Sequence, residues 1–241
     1  MQVPHGVTLS KGQAQAMLPP MALPVTVLPS LLSADFTRLE AELERCAVAG
    51  ARILHVDVMD GHFVPNLTIG PFIVEAMRRV TTLHLDVHLM MTDPLRYIDD
   101  FRKAGADAIT IHVEAVGPRA MTEAIGRVRD TGAQVGLAFN PDTDPELWFK
   151  HFANVDLVMF MTVYPGFGGQ AFIPQTRKSI RATRAAFPEL PIQVDGGINR
   201  DTVPLVLADG ANRLVCGNAF FKDPDPAGFL TWAENFAEQR Q

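Results

Sequence analysis

The chain has 241 residues, 47% hydrophobic and 20% charged, and its 21 basic against 27 acidic side chains leave a net charge of −6. That balance, with no basic run, argues against a nucleic-acid surface or an anionic membrane footprint, so any anionic ligand must be held locally. No apolar stretch reaches the roughly 20 residues of a membrane helix, and Cys46 and Cys216, far apart and without a C-x-x-C spacing, are expected to be reduced thiols of a cytoplasmic protein.

Residues 1–24, rich in Pro, Gln and Gly, lack a basic segment followed by an apolar one and are expected to form a loose extension, not a signal peptide. The folded domain is expected to run from 25 to 241. Strand patterns follow at Val25–Ser30, Arg52–Val58, Leu83–Leu89, Ala108–Val113, Gln134–Phe139, Leu157–Val163, Ile192–Asp195 and Arg213–Cys216. Helical stripes lie between them. Asp35–Ala49 aligns Leu39, Leu43 and Cys46, and Pro94–Ala104 aligns Tyr97, Ile98 and Phe101. Gly50, Gly105, Gly132 and Gly210 each fall between a helix end and the next strand, as C-terminal stops. Length alone suits one barrel or two smaller domains. Eight strand-helix units with right-handed crossovers favour an α/β fold of the closed (β/α)8 TIM-barrel type, as a single domain.

Within those strands, polar groups recur where apolar residues belong. His55 and Asp57 are two apart in R-I-L-H-V-D-V-M-D, so a strand points both to one face. Asp86 and His88 repeat the pattern in L-H-L-D-V-H-L-M, and Asp195 ends P-I-Q-V-D just before Gly196 and Gly197. Buried polar groups are costly unless paired or ligated, so this convergence calls for a metal or a reaction. Active sites of TIM barrels lie at the C-terminal strand ends. There this chain has Ser30 after strand one, the glycine-rich Tyr164–Gln170 after strand six, Gly196-Gly197 after seven and Gly217-Asn218 after eight. Glycines let backbone N–H groups approach a phosphate, so these three loops together form an anion cup.

The same residues carry a family resemblance. L-P-S-L-L-S-A-D-F at 28–36, H-V-D-V-M-D-G-H-F-V-P-N-L-T-I-G-P at 55–71, L-D-V-H-L-M at 85–90, H-V-E-A at 112–115, V-Y-P-G-F-G-G-Q at 163–170 and V-D-G-G-I-N at 194–199 resemble ribulose-phosphate 3-epimerases, in order across about 25–222. The resemblance implies a metal-dependent isomerase that interconverts D-ribulose 5-phosphate and D-xylulose 5-phosphate in the pentose phosphate pathway. It implies that His55, Asp57, His88 and Asp195 hold one divalent ion (Zn, Fe, Mn or Co), and that Asp57 and Asp195 are the two acid/base groups. Ser30 and His88 would also touch substrate. Gly166, Phe167, Gly168, Gly169, Gly196, Gly197, Gly217 and Asn218 would hold the phosphate end, beside Asp195. Met59, Met90 and Met161 would supply an apolar lining. A phosphorylated ketose is then the substrate and a homo-oligomer the assembly. Two positions depart from the family pattern: Asn218 stands where serine is usual, and Tyr164 where a smaller or polar residue is common.

Taken alone, each feature has a plainer reading. A His-x-Asp pair is more often a hydrogen-bonded structural pair, P-G-F-G-G a simple turn, and methionine core filler. Ser30 can cap the following helix, although Ser33 and Asp35 are better positioned for that. Asp60 and Asp86 read as turn and supporting groups, and His5, His62, His84, His112 and His151 as surface or packing residues. Three other functions compete: a 3-epimerase of a hexulose 6-phosphate such as allulose 6-phosphate, a Schiff-base lyase, and a non-catalytic sugar-phosphate-binding barrel. The lyase needs a strand-end lysine, and Lys11, Lys103, Lys150, Lys178 and Lys222 all fall elsewhere.

Overall fold

A computed structural model describes residues 23–236. The extension expected at 1–24 lies outside the described residues up to position 22. Eight strands follow in chain order: β1 (Thr26–Pro29), β2 (Ile53–Met59), β3 (His84–Met90), β4 (Ala108–His112), β5 (Gln134–Phe139), β6 (Leu157–Met161), β7 (Ile192–Asp195) and β8 (Arg213–Cys216). Every ladder is parallel, in the order β1-β8-β7-β6-β5-β4-β3-β2. A parallel bridge between Ser30 and His55 joins the two ends. The sheet thus rolls into the expected TIM barrel, and each expected strand boundary falls within two residues of the observed one.

Eight α-helices cover the outside: α1 (Leu39–Val48), α2 (Pro71–Val80), α3 (Ile98–Ala104), α4 (Val113–Asp130), α5 (Arg177–Ala186), α6 (Val203–Ala208), α7 (Asn218–Phe221) and α8 (Pro226–Asn235). Between β5 and β6 the covering element is a 3-10 helix, Pro145–Asn154. The helix expected from Asp35 begins four residues later. Asp35 instead caps a 3-10 turn, Phe36–Arg38, by accepting the Thr37 amide at 3.0 Å. The segment at Pro94–Tyr97 is likewise a 3-10 turn that leads into α3. All four glycines expected to stop helices lie at positive φ, between 81° and 110°, where residues with a Cβ are strained.

Strand alternation sorts the side chains into two environments. On β2, Leu54, Val56 and Val58 point outward and pack under the helices; on β3, Leu85, Val87 and Leu89 do the same. The alternate positions His55, Asp57 and Met59, and Asp86, His88 and Met90, face the barrel axis. The parallel register pairs them across strands as His55 with Asp86, Asp57 with His88 and Met59 with Met90. Small residues on β5 make room for larger ones on β4. A Cβ at Gly136 would collide with the Thr110 hydroxyl and reach Leu157 Cδ1 at 3.1 Å. Gly136→Ala is therefore expected to destabilise the fold by about 1–3 kcal/mol through overpacking. Urea unfolding checks this: the midpoint should fall at constant slope, and an unchanged midpoint would show that the interior absorbs the methyl.

Candidate active site

At the C-terminal end of the barrel opens a cavity of about 380 Å³. Asp57 and Asp195 lie in its floor, Met59, Met90 and Met161 on its walls, and Ser30 beside Asp57. Its far side is built from Gly166, Phe167, Gly168 and Gly169 after β6, Gly196 and Gly197 after β7, and Gly217 and Asn218 after β8. His55 and His88 are fully buried beneath that floor. The cavity thus gathers the expected site residues apart from the two histidines, which are buried behind it, His88 level with Asp57 and His55 one layer deeper.

The strand pleat sets the layers, and the cross-strand register supplies partners. Asp57 Oδ2 accepts a 2.6 Å hydrogen bond from the Ser30 hydroxyl, which rules out the alternative of Ser30 as a helix cap. Its other oxygen, Oδ1, stands 3.3 Å from His55 Nε2 and 3.2 Å from His88 Nδ1. Asp195 Oδ2 is 3.9 Å from each of the same two nitrogens, and 15% of its side chain is exposed to the cavity. One donor atom from each of His55, Asp57, His88 and Asp195 lies within 4.8 Å of all the others. His55 Nε2 is buried with no hydrogen-bond partner, an arrangement that is costly unless something else takes its lone pair. Two imidazole nitrogens and two carboxylate oxygens facing one point fit a divalent ion. This cluster can hold one.

Further groups orient these four. His55 Nδ1 lies 2.8 Å from Asp86 Oδ2, which also accepts from Gln193 Nε2 at 2.8 Å. Asp86 thus has the supporting part expected of it, while Gln193 was not anticipated. His112, expected as a surface or packing residue, corrects that reading: it is fully buried and its Nε2 is 2.8 Å from His88 Nε2. Position parity was the overlooked signal, because His112 shares the inward face of β4 with Thr110. At the cavity's rim, Asn66 Nδ2 donates to the Gly166 carbonyl at 2.7 Å, and Gln170 Nε2 braces the loop by donating to the Tyr164 and Phe167 carbonyls. Asp60 builds the turn expected of it, accepting the amides of His62 and Phe63, and links to the Thr92 amide after β3.

The electrostatics divide the two cavity carboxylates. Burial and the neighbouring charge of Asp57 push Asp195 up to about 7. Burial would also raise Asp57, but His55 and His88 more than offset it and hold that carboxyl well below the usual range. Burial disfavours a charge on His55 too, yet Asp57 and Asp86 flank it and raise its pKa above the ordinary value. His88, buried and facing His112, falls to about 4. Farther out, burial opposes ionisation of Glu114, but hydrogen bonds from His112, Thr143 and Asn140 keep it below the usual range.

A family model described as the ribulose-phosphate 3 epimerase family matches residues 26–221. The chain belongs to the ribulose-phosphate 3-epimerase family. Curated relatives agree. A Bacillus subtilis (strain 168) ribulose-phosphate 3-epimerase is 47% identical over 206 residues, spanning 83% of this chain and 94% of that protein. A Synechocystis enzyme of the same name is 43% identical over 219 residues, spanning 89% and 95%. A rice relative, named the cytoplasmic isoform, is 40% identical over 218 residues, again spanning 89% and 95%. Among solved structures, a 3-hexulose-6-phosphate synthase matches at a TM-score of 0.63 and 19% identity, over 88% of this chain and 98% of that one. A tryptophan synthase α-subunit from Pyrococcus furiosus matches at 0.64 and 15%, over 89% and 98%. At such identities these two speak for the barrel alone. No helix among the described residues of this epimerase-family chain is long and apolar enough to cross a membrane.

The pKa pattern gives the cluster a measurable signature. A ligating imidazole must present a bare nitrogen, so binding displaces a proton from a ring that is protonated on both nitrogens. At pH 6 the raised pKa of His55 keeps it in that form, and uptake of a divalent ion should release one proton. Calorimetry in two buffers of different ionisation enthalpy reads this number. Uptake at pH 6 with no proton release would overturn the assignment of this ring.

Proposed function

We propose that this protein is an isomerase that interconverts D-ribulose 5-phosphate and D-xylulose 5-phosphate within the pentose phosphate pathway, a reading supported by relatives named ribulose-phosphate 3-epimerase. The observation that carries this reading is the pair of cavity-floor carboxylates with pKa values driven apart. Such a divergence marks one group as base and the other as acid. Inverting C3 of a ketose 5-phosphate requires removing the proton next to the C2 carbonyl and returning one to the opposite face. Asp57 on β2 and Asp195 on β7 stand three strands apart one way round the barrel and five the other, which supports their flanking a flat intermediate. In one direction the ionised Asp57 accepts the C3 proton while the protonated Asp195 donates its own; in the other the roles exchange. Ser30 steadies Asp57 throughout through its hydrogen bond to Oδ2.

In this reading His55, Asp57, His88 and Asp195 hold the divalent ion and Ser30 also touches substrate, whereas His88, fully buried and absent from the cavity wall, serves the ion alone. Zn²⁺ suits the donor set, and Fe²⁺, Mn²⁺ and Co²⁺ share enough of its preferences to serve. When bound, the ion supplies positive charge that stabilises the negative charge developing on the ketose oxygens. Met59, Met90 and Met161 exclude water from the reacting carbons, which strengthens every electrostatic contact there.

The phosphate is read to sit against Gly166–Gly169, Gly196, Gly197, Gly217 and Asn218. Among the described residues no acceptor takes the amide of Gly197 or Gly217. Gly197 has φ +66°, and a Cβ there would meet the Phe172 amide nitrogen at 2.8 Å. Asn218 keeps the backbone N–H that a serine would provide, so the family departure at this position alters only a side-chain contact. Gly197→Ala should raise KM for the phosphorylated ketose by about tenfold, roughly the 1.4 kcal/mol of one lost charged hydrogen bond, with a smaller effect on kcat. An unchanged KM would remove this loop from the phosphate site.

Two finer points belong to the same reading. Cys46 and Cys216 are buried free thiols, which fits the reducing cytoplasm. A homo-oligomer is supported by Phe36, Leu67 and Phe72, whose apolar side chains are exposed on the described surface.

The decisive experiment is turnover of ribulose 5-phosphate by metal-reconstituted protein in D₂O. Xylulose 5-phosphate with deuterium at C3 is the expected product. Asp57→Asn and Asp195→Asn should each lower the rate by roughly 10²–10⁴-fold, and wild-type rates in either would refute the two-base scheme. Turnover of allulose 6-phosphate without ribulose 5-phosphate would transfer the assignment to a hexulose phosphate.

A further inference from the structure

Both histidines of the cluster present one ring nitrogen to the shared centre and the other to a partner. For His55 that partner is a carboxylate in direct contact, Asp86, 2.8 Å from Nδ1. For His88 it is another histidine. His88 Nε2 and His112 Nε2 are 2.8 Å apart, the two rings stack with centroids 5.0 Å apart, and Phe63 packs on His112 with centroids at 4.8 Å. Beyond it, His112 Nδ1 lies 3.1 Å from Glu114 Oε2 on the first turn of α4. Glu114 Oε1 accepts from the Asn140 amide at 2.8 Å and from the Thr143 hydroxyl. The line therefore runs from the cluster through two buried rings to a carboxylate at the barrel's rim.

A nitrogen-to-nitrogen contact needs one donor and one acceptor. Glu114, as a carboxylate, only accepts, so it selects the form of His112 with hydrogen on Nδ1. In neutral His112 the lone pair is then on Nε2, and His88 must donate to it from its own Nε2. His88 Nδ1 is left with a bare lone pair, 3.2 Å from Asp57 Oδ1. Two lone pairs facing each other repel, unless a cation lies between them. The opposite register, with hydrogen on His88 Nδ1, would satisfy Asp57 and block the ion.

We propose that Glu114, acting through His112, is a positioning residue that sets the tautomer of His88 and so keeps His88 Nδ1 open to a divalent ion. This rests on reading the four-residue cluster as a metal centre. Glu114 touches neither the cavity nor the cluster, and its effect travels through hydrogen bonds alone.

The test uses the full-length protein, with Zn²⁺ or Co²⁺ as the probe. In Glu114→Gln, an amide of the same shape can offer N–H to His112 and reverse the register. The dissociation constant for Zn²⁺, from chelator competition, should rise by about 10–100-fold, and the visible absorption bands of the Co²⁺ form should shift. Glu114→Asp should recover part of the affinity. Thr143→Ala, which removes a loop contact to the same carboxylate but leaves the histidine line intact, should keep Zn²⁺ affinity within about twofold. Long-range ¹H–¹⁵N correlation on the Zn²⁺-loaded wild type should find hydrogen on Nδ1 of His112 and on Nε2 of His88, and needs no variant to fold. Hydrogen on His112 Nε2, or a Glu114→Gln protein with unchanged affinity and spectrum, would overturn the inference while leaving an active metal enzyme. A wild type that takes up no ion would overturn the metal reading and this inference together.

Discussion

The architecture depends on burying three carboxylates and two imidazoles in one apolar barrel. Asp57, Asp86, His55 and His88 are all nearly or fully removed from water, and Asp195 only partly faces the cavity. Unpaired, each charge would cost several kcal/mol. The structure answers by interleaving them: each carboxylate meets an imidazole, Ser30 takes the Asp57 oxygen that the imidazoles leave over, and Gln193 donates to the Asp86 oxygen that already faces His55. Part of what stays uncompensated lies at the cavity floor, where His55 Nε2 lacks a partner and Asp195 keeps its proton to about pH 7. Residual frustration of this kind is where chemistry can act.

The parallel sheet makes that interleaving possible. Because β2 and β3 pair without a stagger between their H-x-D and D-x-H segments, each layer of the interior receives one acid and one base side by side. A slip of one residue in either strand would turn its histidine and aspartate into the helix layer and its apolar side chains into the polar interior. The register is thus enforced from both sides, by apolar burial outside and by charge pairing inside. The loops at the strand ends inherit the precision of that frame. Thr162 shows how: its amide and hydroxyl both donate to the Asp195 carbonyl, tying the end of β6 to the end of β7 beneath the glycine loops.

Much of this was legible in the sequence because it depends on local pattern. Alternation revealed the inward faces of β2 and β3, and the glycines at 50, 105, 132 and 210 announced the helix ends. The set His55, Asp57, His88 and Asp195 could be assembled because each member lies within a recognisable motif, the first three on inward strand positions and Asp195 at the end of β7. What escaped was non-local or lay in irregular segments. Whether Asp35 starts an α-helix or a 3-10 turn depends on how the chain leaves β1, which no periodicity records. Gln193 is an ordinary polar residue in sequence, and only the closure of the barrel brings it to Asp86. Nothing around Asn66 in sequence points to its contact with Gly166, which spans 100 positions. His112 was the avoidable omission, since its parity on β4 was readable.

The two aspartates of the cavity are chemically alike and structurally unlike, and the difference follows from neighbours rather than residue type. Asp57 has one oxygen bonded to Ser30 and the other facing two imidazoles, so its geometry is fixed and its negative charge is favoured. Asp195 has no hydrogen bond to its carboxylate among the described residues and stands 3.9 Å from the same imidazoles. It ends β7 immediately before two glycines at positive φ, Gly196 and Gly197, and a Cβ at Gly196 would run into Val163. That turn brings the carboxylate to the cavity while keeping it clear of other donors. A rigid ionised group and a less constrained protonated one, facing the same space from opposed strands, is the asymmetry a reversible proton exchange needs. It arises because β2 is flanked by β1 and β3, both of which carry donors at its level, whereas the neighbours of Asp195 in the register are Met161 and Val215. Two methylene-rich or branched side chains beside a carboxyl raise its pKa by desolvation, and so the apolar lining and the acid are one feature of the same layer.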